Sequence, residues 1–234
     1  MATELLNSNK DLASDYERQL DRNYSLIGES CSDMVERKVS ALLRFLSQQT
    51  PLRRHKVLDV GCGVGLAEKI LSDSPLIESV TGIDLSFESL HVASDRALPS
   101  AHYVQANGIQ LPFNSGIFDA VFTVCTLHHV DTSLRLEFLR EMYRVLRPQG
   151  WLFAFEHNPY NPITRFFVRI CEWDHGCKLL RPSELVSNFM NTNLRDIRRH
   201  FLVFFPSLLK PALAFEKHLW WCPLGAQFFV SGKK

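Results

Sequence analysis

The sequence has 234 residues, of which 46% are hydrophobic and 22% charged, with a formal net charge of +1. That length suits one larger domain, and the balanced charge, with only scattered pairs such as Arg53-Arg54 and Arg198-Arg199, excludes a basic nucleic-acid binder. Six cysteines dispersed over the chain suggest reduced thiols rather than a disulfide framework. The polar, acidic start MATELLNSNKDLASDYERQ has no basic and apolar regions of a signal peptide, so a cytoplasmic protein is expected. The longest apolar stretch, FLVFFPSLLKPALAF (201–215), is broken by Pro206, Ser207, Lys210 and Pro211, and no run reaches the ~20 residues of a spanning helix.

Ser14 and Glu17 have capping-box spacing and predict a helix through Tyr16 and Leu20. A second helix is expected from about Asp33, carried by Val35, Val39, Leu42 and Leu46 and stopped before Pro51. The rhythm then changes. KVLDV (56–60), SVTGIDL (79–85), AHYVQA (101–106), FDAVFTVCTL (118–127) and WLFAFE (151–156) read as strands. Helices fall between them: one through Ala67, Ile70 and Leu71, one over 86–97 capped by Ser86, and one over 132–146 ended by Pro148 and Gly150. Beyond Pro159, helices are expected near 163–172 and 182–190, a strand near 196–205, an insertion LLKPALAFEKHLWW and a last strand over 226–232. Alternating strands and helices predict an α/β fold with a doubly wound, mainly parallel sheet and right-handed crossovers.

The stretch VLDVGCGVGLAEKIL places three glycines between the first strand and its helix. Ligands of such sheets bind beyond the carboxyl ends of the strands, and glycines permit positive φ and close backbone approach. The spacing G-C-G-V-G departs from the dinucleotide fingerprint G-x-G-x-x-G, because Leu66 stands where the last glycine would be. Asp59, two residues before Gly61, would repel a pyrophosphate and suits an ammonium. Asp84 ends the second strand, where a carboxylate can accept from ribose hydroxyls. A ribose and an ammonium without a phosphate point to S-adenosylmethionine.

These segments resemble class I S-adenosylmethionine-dependent methyltransferases, in particular the ubiquinone/menaquinone-methyltransferase-like (type 11) branch. VLDVGCGVG is similar to their first motif, VTGIDLS to the second-strand motif, VQANGIQLPFNSGIFDAVFTVCTLHHV to the central segment and EMYRVLRPQGWLFAFE to the helix and strand that follow. The resemblance runs over about 55–157. It implies a Rossmann-like core (51–158) with an antiparallel last strand, an N-terminal helical lid (1–50) and a C-terminal cap (159–234), all in one domain. It also implies cofactor contacts. Asp59, Gly61, Cys62, Gly63 and Gly65 would hold the methionine end, Asp84 the ribose, and Leu85 the adenine face. Asn107, followed by Gly108, stands where the family has an acid that accepts from the adenine amino group. The backbone at Cys125 would lie near the sulfonium, its thiol a small buried apolar group. Tyr16 matches a lid tyrosine; an exposed helix aromatic is the alternative.

Methyl transfer from a sulfonium needs alignment and a dry pocket, and a base only where the acceptor loses a proton. His157 and His129 are the candidate bases; loop-fixing roles are the alternative for both. CEWDHGC (171–177) offers Cys171, Asp174, His175 and Cys177, but at no usual ligand spacing, so no metal is expected. Core packing is favoured for the aromatic set Phe201, Phe204, Phe205, Phe215, Trp220 and Trp221, ahead of an acceptor pocket, a dimer face or a membrane-surface patch. The expected reaction is methylation of a partly apolar small molecule, on oxygen or nitrogen, by a monomer or homodimer without nucleic acid. A cofactor-binding partner subunit and a nicotinamide-dependent oxidoreductase are the alternatives.

Overall fold

The computed structural model describes residues 17–50 and 53–234. The predicted box at Ser14 and the candidate Tyr16 therefore lie outside the described residues. A helix, α1, covers 17–25. It is followed by α2 (Cys31–Gln49), β1 (His55–Val60), α3 (Leu66–Ser72), β2 (Ile77–Asp84), α4 (Phe87–Ser94) and β3 (Ala101–Gln105). Next come β4 (Phe118–Val124), α5 (Arg135–Val145), β5 (Leu146–His157), α6 (Pro162–Ile170), α7 (Pro182–Met190), β6 (Arg195–Leu202), α8 (Lys210–Leu213) and β7 (Gln227–Lys233).

The strands form one seven-stranded sheet in the order β3-β2-β1-β4-β5-β7-β6. The five N-terminal strands are parallel, and β7 runs antiparallel to both β5 and β6. Apolar runs such as Val57-Leu58 and Val121-Phe122 are buried on both faces, as a central parallel sheet requires. Two apolar clusters cover the faces. One joins α5 and α7 to the sheet through Phe138, Met142 and Phe189. The other joins α2 through Val39, Leu42 and Phe45; the Phe45 ring stands edge-on to Trp151 and Phe153, with centroids 4.7 and 5.2 Å away.

Within the segment expected as a lid, α2 packs as a layer of the core against the sheet. Its start lies at Cys31 because Ser30 and Asp33 cap each other, Ser30 Oγ accepting from the Asp33 amide at 3.0 Å and Asp33 from the Ser30 amide at 2.9 Å. Two strands also differ in length. β4 stops at Val124, since Cys125 turns the chain at φ +51°. β5 begins at Leu146 directly after α5, so Pro148 and Gly150 lie within an irregular strand start rather than in a loop. The aromatic set divides as well. Phe201 is buried, but Phe215, Trp220 and Trp221 are 65%, 51% and 62% exposed. Core packing fails for these three because the chain leaves the sheet after Leu202 and returns only at Gln227. Among the described residues no helix is long and apolar enough to cross a membrane.

Candidate active site

The candidate residues line the carboxyl ends of β1 to β5. After β1 the turn carries Gly61, Gly63 and Gly65 at φ +86°, +54° and +79°. A Cβ on Gly61 would stand 2.5 Å from Thr126, and one on Gly65 would stand 2.8 Å from both Ala93 and Tyr103. A Cβ on Gly63 would meet nothing within 4 Å. Two of the glycines thus serve packing, and the third borders open space where a ligand can approach the backbone. Cys62 is buried, and burial drives its thiol far above the usual range.

Asp84 ends β2. Its Oδ2 accepts from the Gly63 amide and its Oδ1 from the Ser86 amide, both at 2.9 Å. These bonds hold the carboxylate across the mouth of the turn with lone pairs to spare. Leu85 beside it is 66% exposed. After β3, Asn107 is exposed, with Oδ1 accepting from the Ile109 amide at 3.1 Å. Gly108 has no room for a side chain, since a Cβ there would lie 2.2 Å from the Phe138 ring.

Asp59 lies beneath the turn, fully buried beside Glu68 of α3. No donor reaches Asp59 Oδ1 or either Glu68 oxygen. Burial, and then the facing Glu68 charge, raise the Asp59 carboxyl well above its usual range. Burial likewise lifts Glu68 to about 7. Burial thus disfavours charge on both carboxyls, and an ammonium above them would favour their ionised forms. Glu68 was not among the expected residues, although its place three residues before Leu71 on the inward face of α3 is a signal.

The segment after β4 links this turn to a second group of side chains. Thr123 Oγ1 donates to the Val60 carbonyl at 2.7 Å, and Cys125 is followed by His128 and His129. Lys38, buried on α2 in line with Met34 and Leu42, points its Nζ at Cys125 Sγ, 3.6 Å away. A lysine within an apolar stripe is again a legible signal.

His128 donates through Nδ1 to Glu156 at 2.7 Å and through Nε2 to Asp174 at 3.1 Å. Glu156 also accepts from the Leu127 amide at 2.9 Å. Burial opposes a charge on His128, but the two carboxylates outweigh it and push the ring up to about 10. Against its own burial, Asp174 is held at about 2 by the His128 hydrogen bond and the neighbouring histidines. His157 is buried, and burial followed by the His128 charge lowers it to about 4. His129 is half-exposed, lowered by the same causes, with Nδ1 3.1 Å from Cys177 Sγ. The structure therefore gathers His128, His129, Glu156, His157 and two residues of CEWDHGC, Asp174 and Cys177, into one cluster. Asp174 joins it because the short helical turn after α6 (Glu172–Asp174) folds back over β5.

His157 and Asp174 belong to the wall of a small cavity of about 50 Å³ lined mainly by apolar side chains from α1, α2, α6 and their connections, among them Leu20, Tyr24, Ile27, Met34 and Phe167, with Asn23, Thr164 and Gln227 as further polar members. A larger groove between α2 and β6 includes none of the residues gathered by the glycine turn or the histidine cluster.

Residues 58–154 match the family model described as a methyltransferase domain. The malonyl-[acyl-carrier protein] O-methyltransferase of Marinomonas sp. (strain MWYL1) is 32% identical over 142 residues, which cover 60% of this chain and 52% of that protein. An uncharacterized methyltransferase of Synechocystis sp. is 32% identical over 151 residues, covering 62% of this chain and 69% of that one. The chain thus spans about half the length of the first of these relatives. In the structural comparison, the phosphoethanolamine N-methyltransferase 2 of Haemonchus contortus, solved in complex with S-adenosyl-L-methionine, superposes with a TM-score of 0.60 at 19% identity, covering 83% of this chain and 52% of that one. That likeness supports the fold.

Proposed function

This chain belongs to the class I S-adenosylmethionine-dependent methyltransferases of the type 11 family, and from that premise we propose that it methylates oxygen or nitrogen of a small molecule with an apolar portion. One observation carries the acceptor class: the cavity beyond the end of β5 is lined mainly by apolar side chains, with a few polar ones, His157, Asp174, Asn23, Thr164 and Gln227, among them. The nicotinamide alternative is not favoured, because the turn G-C-G-V-G lacks the last glycine of the dinucleotide fingerprint.

The residues present fit the cofactor. The open face of Gly63, the fixed Asp84 carboxylate and the donor-less Asp59–Glu68 pair complement a small backbone-hugging chain, a ribose and an ammonium respectively. Asp84 would take the ribose hydroxyls, Leu85 would cover the adenine, Asn107 and Gly108 would border its edge, and the backbone at Cys125 would face the methyl end. When bound, S-adenosylmethionine supplies an electrophilic methyl carbon on a leaving group that needs no activation. The protein's own part is then alignment and exclusion of water. His157, uncharged at neutral pH, meets the acceptor's polar atom, and His129 lies on the half-exposed side, where a proton can leave.

Titration of S-adenosylhomocysteine into the protein tests this directly. At ~100 times its dissociation constant it should add ~2.7 kcal/mol to stability, and Asp84→Ala should abolish the effect. Transfer of a labelled methyl group should then favour hydroxyl or amine acceptors that carry an apolar chain over those without one. Binding that survives in Asp84→Ala, or equal rates with and without the chain, would overturn the respective half of the proposal.

A further inference from the structure

We propose that His128, His157 and Asp174 form a site for one divalent transition-metal ion of zinc type, at the polar end of the acceptor cavity. The three come from separate segments: the β4–α5 connection, the end of β5 and the turn after α6. One ligand atom from each lies within 4.8 Å of the other two. His128 Nε2 is 3.1 Å from Asp174 Oδ1, and His157 Nε2 is 3.9 Å from Asp174 Oδ2. Zinc–nitrogen and zinc–oxygen bonds of about 2.0–2.2 Å put tetrahedral neighbours roughly 3.3–3.5 Å apart. The 3.1 Å pair lies just inside that spacing and the 3.9 Å pair, made with the other carboxylate oxygen, just outside it, so the three side chains would close around the ion on binding.

The surroundings are those of a metal site. Glu156 holds His128 Nδ1 at 2.7 Å and is itself fixed by the Leu127 amide. This is the carboxylate–histidine arrangement that orients a ligating ring and sets its tautomer, with Nε2 left to face the ion. Glu156 and Asp174 bring two carboxylates into a largely buried cluster, and a divalent ion would take the place of the proton on His128 Nε2 between them. Lys38, the cation facing the cluster from α2, directs its ammonium to Cys125 instead. Finally, His157 and Asp174 belong to the cavity wall, so a three-ligand ion would keep an open position toward the cavity, as catalytic zinc sites do. A mixed nitrogen and carboxylate set at tetrahedral spacing suits zinc rather than magnesium, which demands octahedral oxygen. CEWDHGC showed no ligand spacing because it supplies one ligand, with both partners arriving from elsewhere in the fold.

The inference does not use the cofactor contacts; it rests on the proposed function only in calling the cavity the acceptor's, and with the ion bound His157 would serve as its ligand rather than meet the acceptor itself. The test uses full-length protein stripped with a chelator, with zinc chloride as titrant and calorimetry as readout. One ion per chain should bind with a dissociation constant below about 1 µM, and magnesium chloride should give no heat. His157→Ala and Asp174→Asn should each weaken zinc at least 10-fold, while S-adenosylhomocysteine binding, measured on the same samples, reports that they remain folded. Cobalt chloride adds a second readout. Binding at this triad gives visible bands without a thiolate charge-transfer band, and Cys177→Ser leaves them unchanged. Zinc binding unaffected by both variants, no zinc binding to folded protein, or a thiolate band lost in Cys177→Ser would each overturn the assignment; the last would move the ion to His128, His129 and Cys177. Failure of zinc with retained S-adenosylhomocysteine defeats this inference alone, whereas loss of S-adenosylhomocysteine binding defeats the methyltransferase proposal.

Discussion

Asp59 and Glu68 show how much a single pair of side chains can dictate. Glu68 keeps its proton in the folded chain up to about pH 7, against an ordinary value of 4.5. Between those values the folded state binds more protons than the unfolded one, so stability falls as pH rises through that window and levels off above it. The melting temperature of the wild type should therefore drop from about pH 5 to pH 8 relative to Glu68→Gln, in which the slope from this group is absent. Parallel curves for the two proteins would show that Glu68 is ionised throughout. At this scale the sequence was legible where backbone chemistry leaves a signature: the glycines, Asp84 and Ser86 all stand where spacing put them. It was not legible for Glu68, Lys38 or His128, whose properties arise from what faces them. Two adjacent histidines in HHV give no hint that one is buried between two carboxylates while the other is half-exposed.

Among the elements, the excursion between β6 and β7 depends on a knot of charge. Arg37 on α2 donates to Glu29 at 3.1 Å, to the Phe205 carbonyl at 2.9 Å, and to Glu216. Glu216 in turn accepts from the Phe204 and Phe205 amides at 2.8 and 2.9 Å, and Glu29 from Ser207 Oγ at 2.8 Å. Removing the guanidinium leaves a fully buried Glu29 side chain without its cation. Arg37→Ala should cost about 1.5–3 kcal/mol, and hydrogen exchange should quicken in residues 203–216 before it does in the sheet. Unchanged exchange there would show that other contacts hold the excursion. Periodicity identified the helices that cover the sheet but could not reveal this knot, because partners bonded in it are up to 179 residues apart. For the same reason the exposure of Phe215, Trp220 and Trp221 was misjudged: composition marks them as core, and only the path of the chain shows them outside it.

The whole molecule is organised by one sheet shared between two apolar clusters, so neither cluster can dissolve without exposing the other's strands. Urea unfolding followed by far-ultraviolet circular dichroism and by tryptophan fluorescence should therefore give coincident transitions, and separated midpoints would show that the C-terminal part unfolds on its own. Strand and helix alternation made the parallel part of this architecture readable, since parallel crossovers admit few layouts; the antiparallel last strand followed from the family resemblance. Strand ends were less readable: pairing, not propensity, stops β4 at Val124 and starts β5 at Leu146. The common direction of β1 to β5 gives the molecule two unlike poles. Every described candidate ligand-binding residue lies at one, while Gln149, exposed and bonded through its backbone amide to the Lys234 carbonyl at 3.0 Å, lies at the other. A protein anchored to a bead or an electrode through position 149 would present its working pole outward in every copy, so that immobilisation would orient the population without masking it.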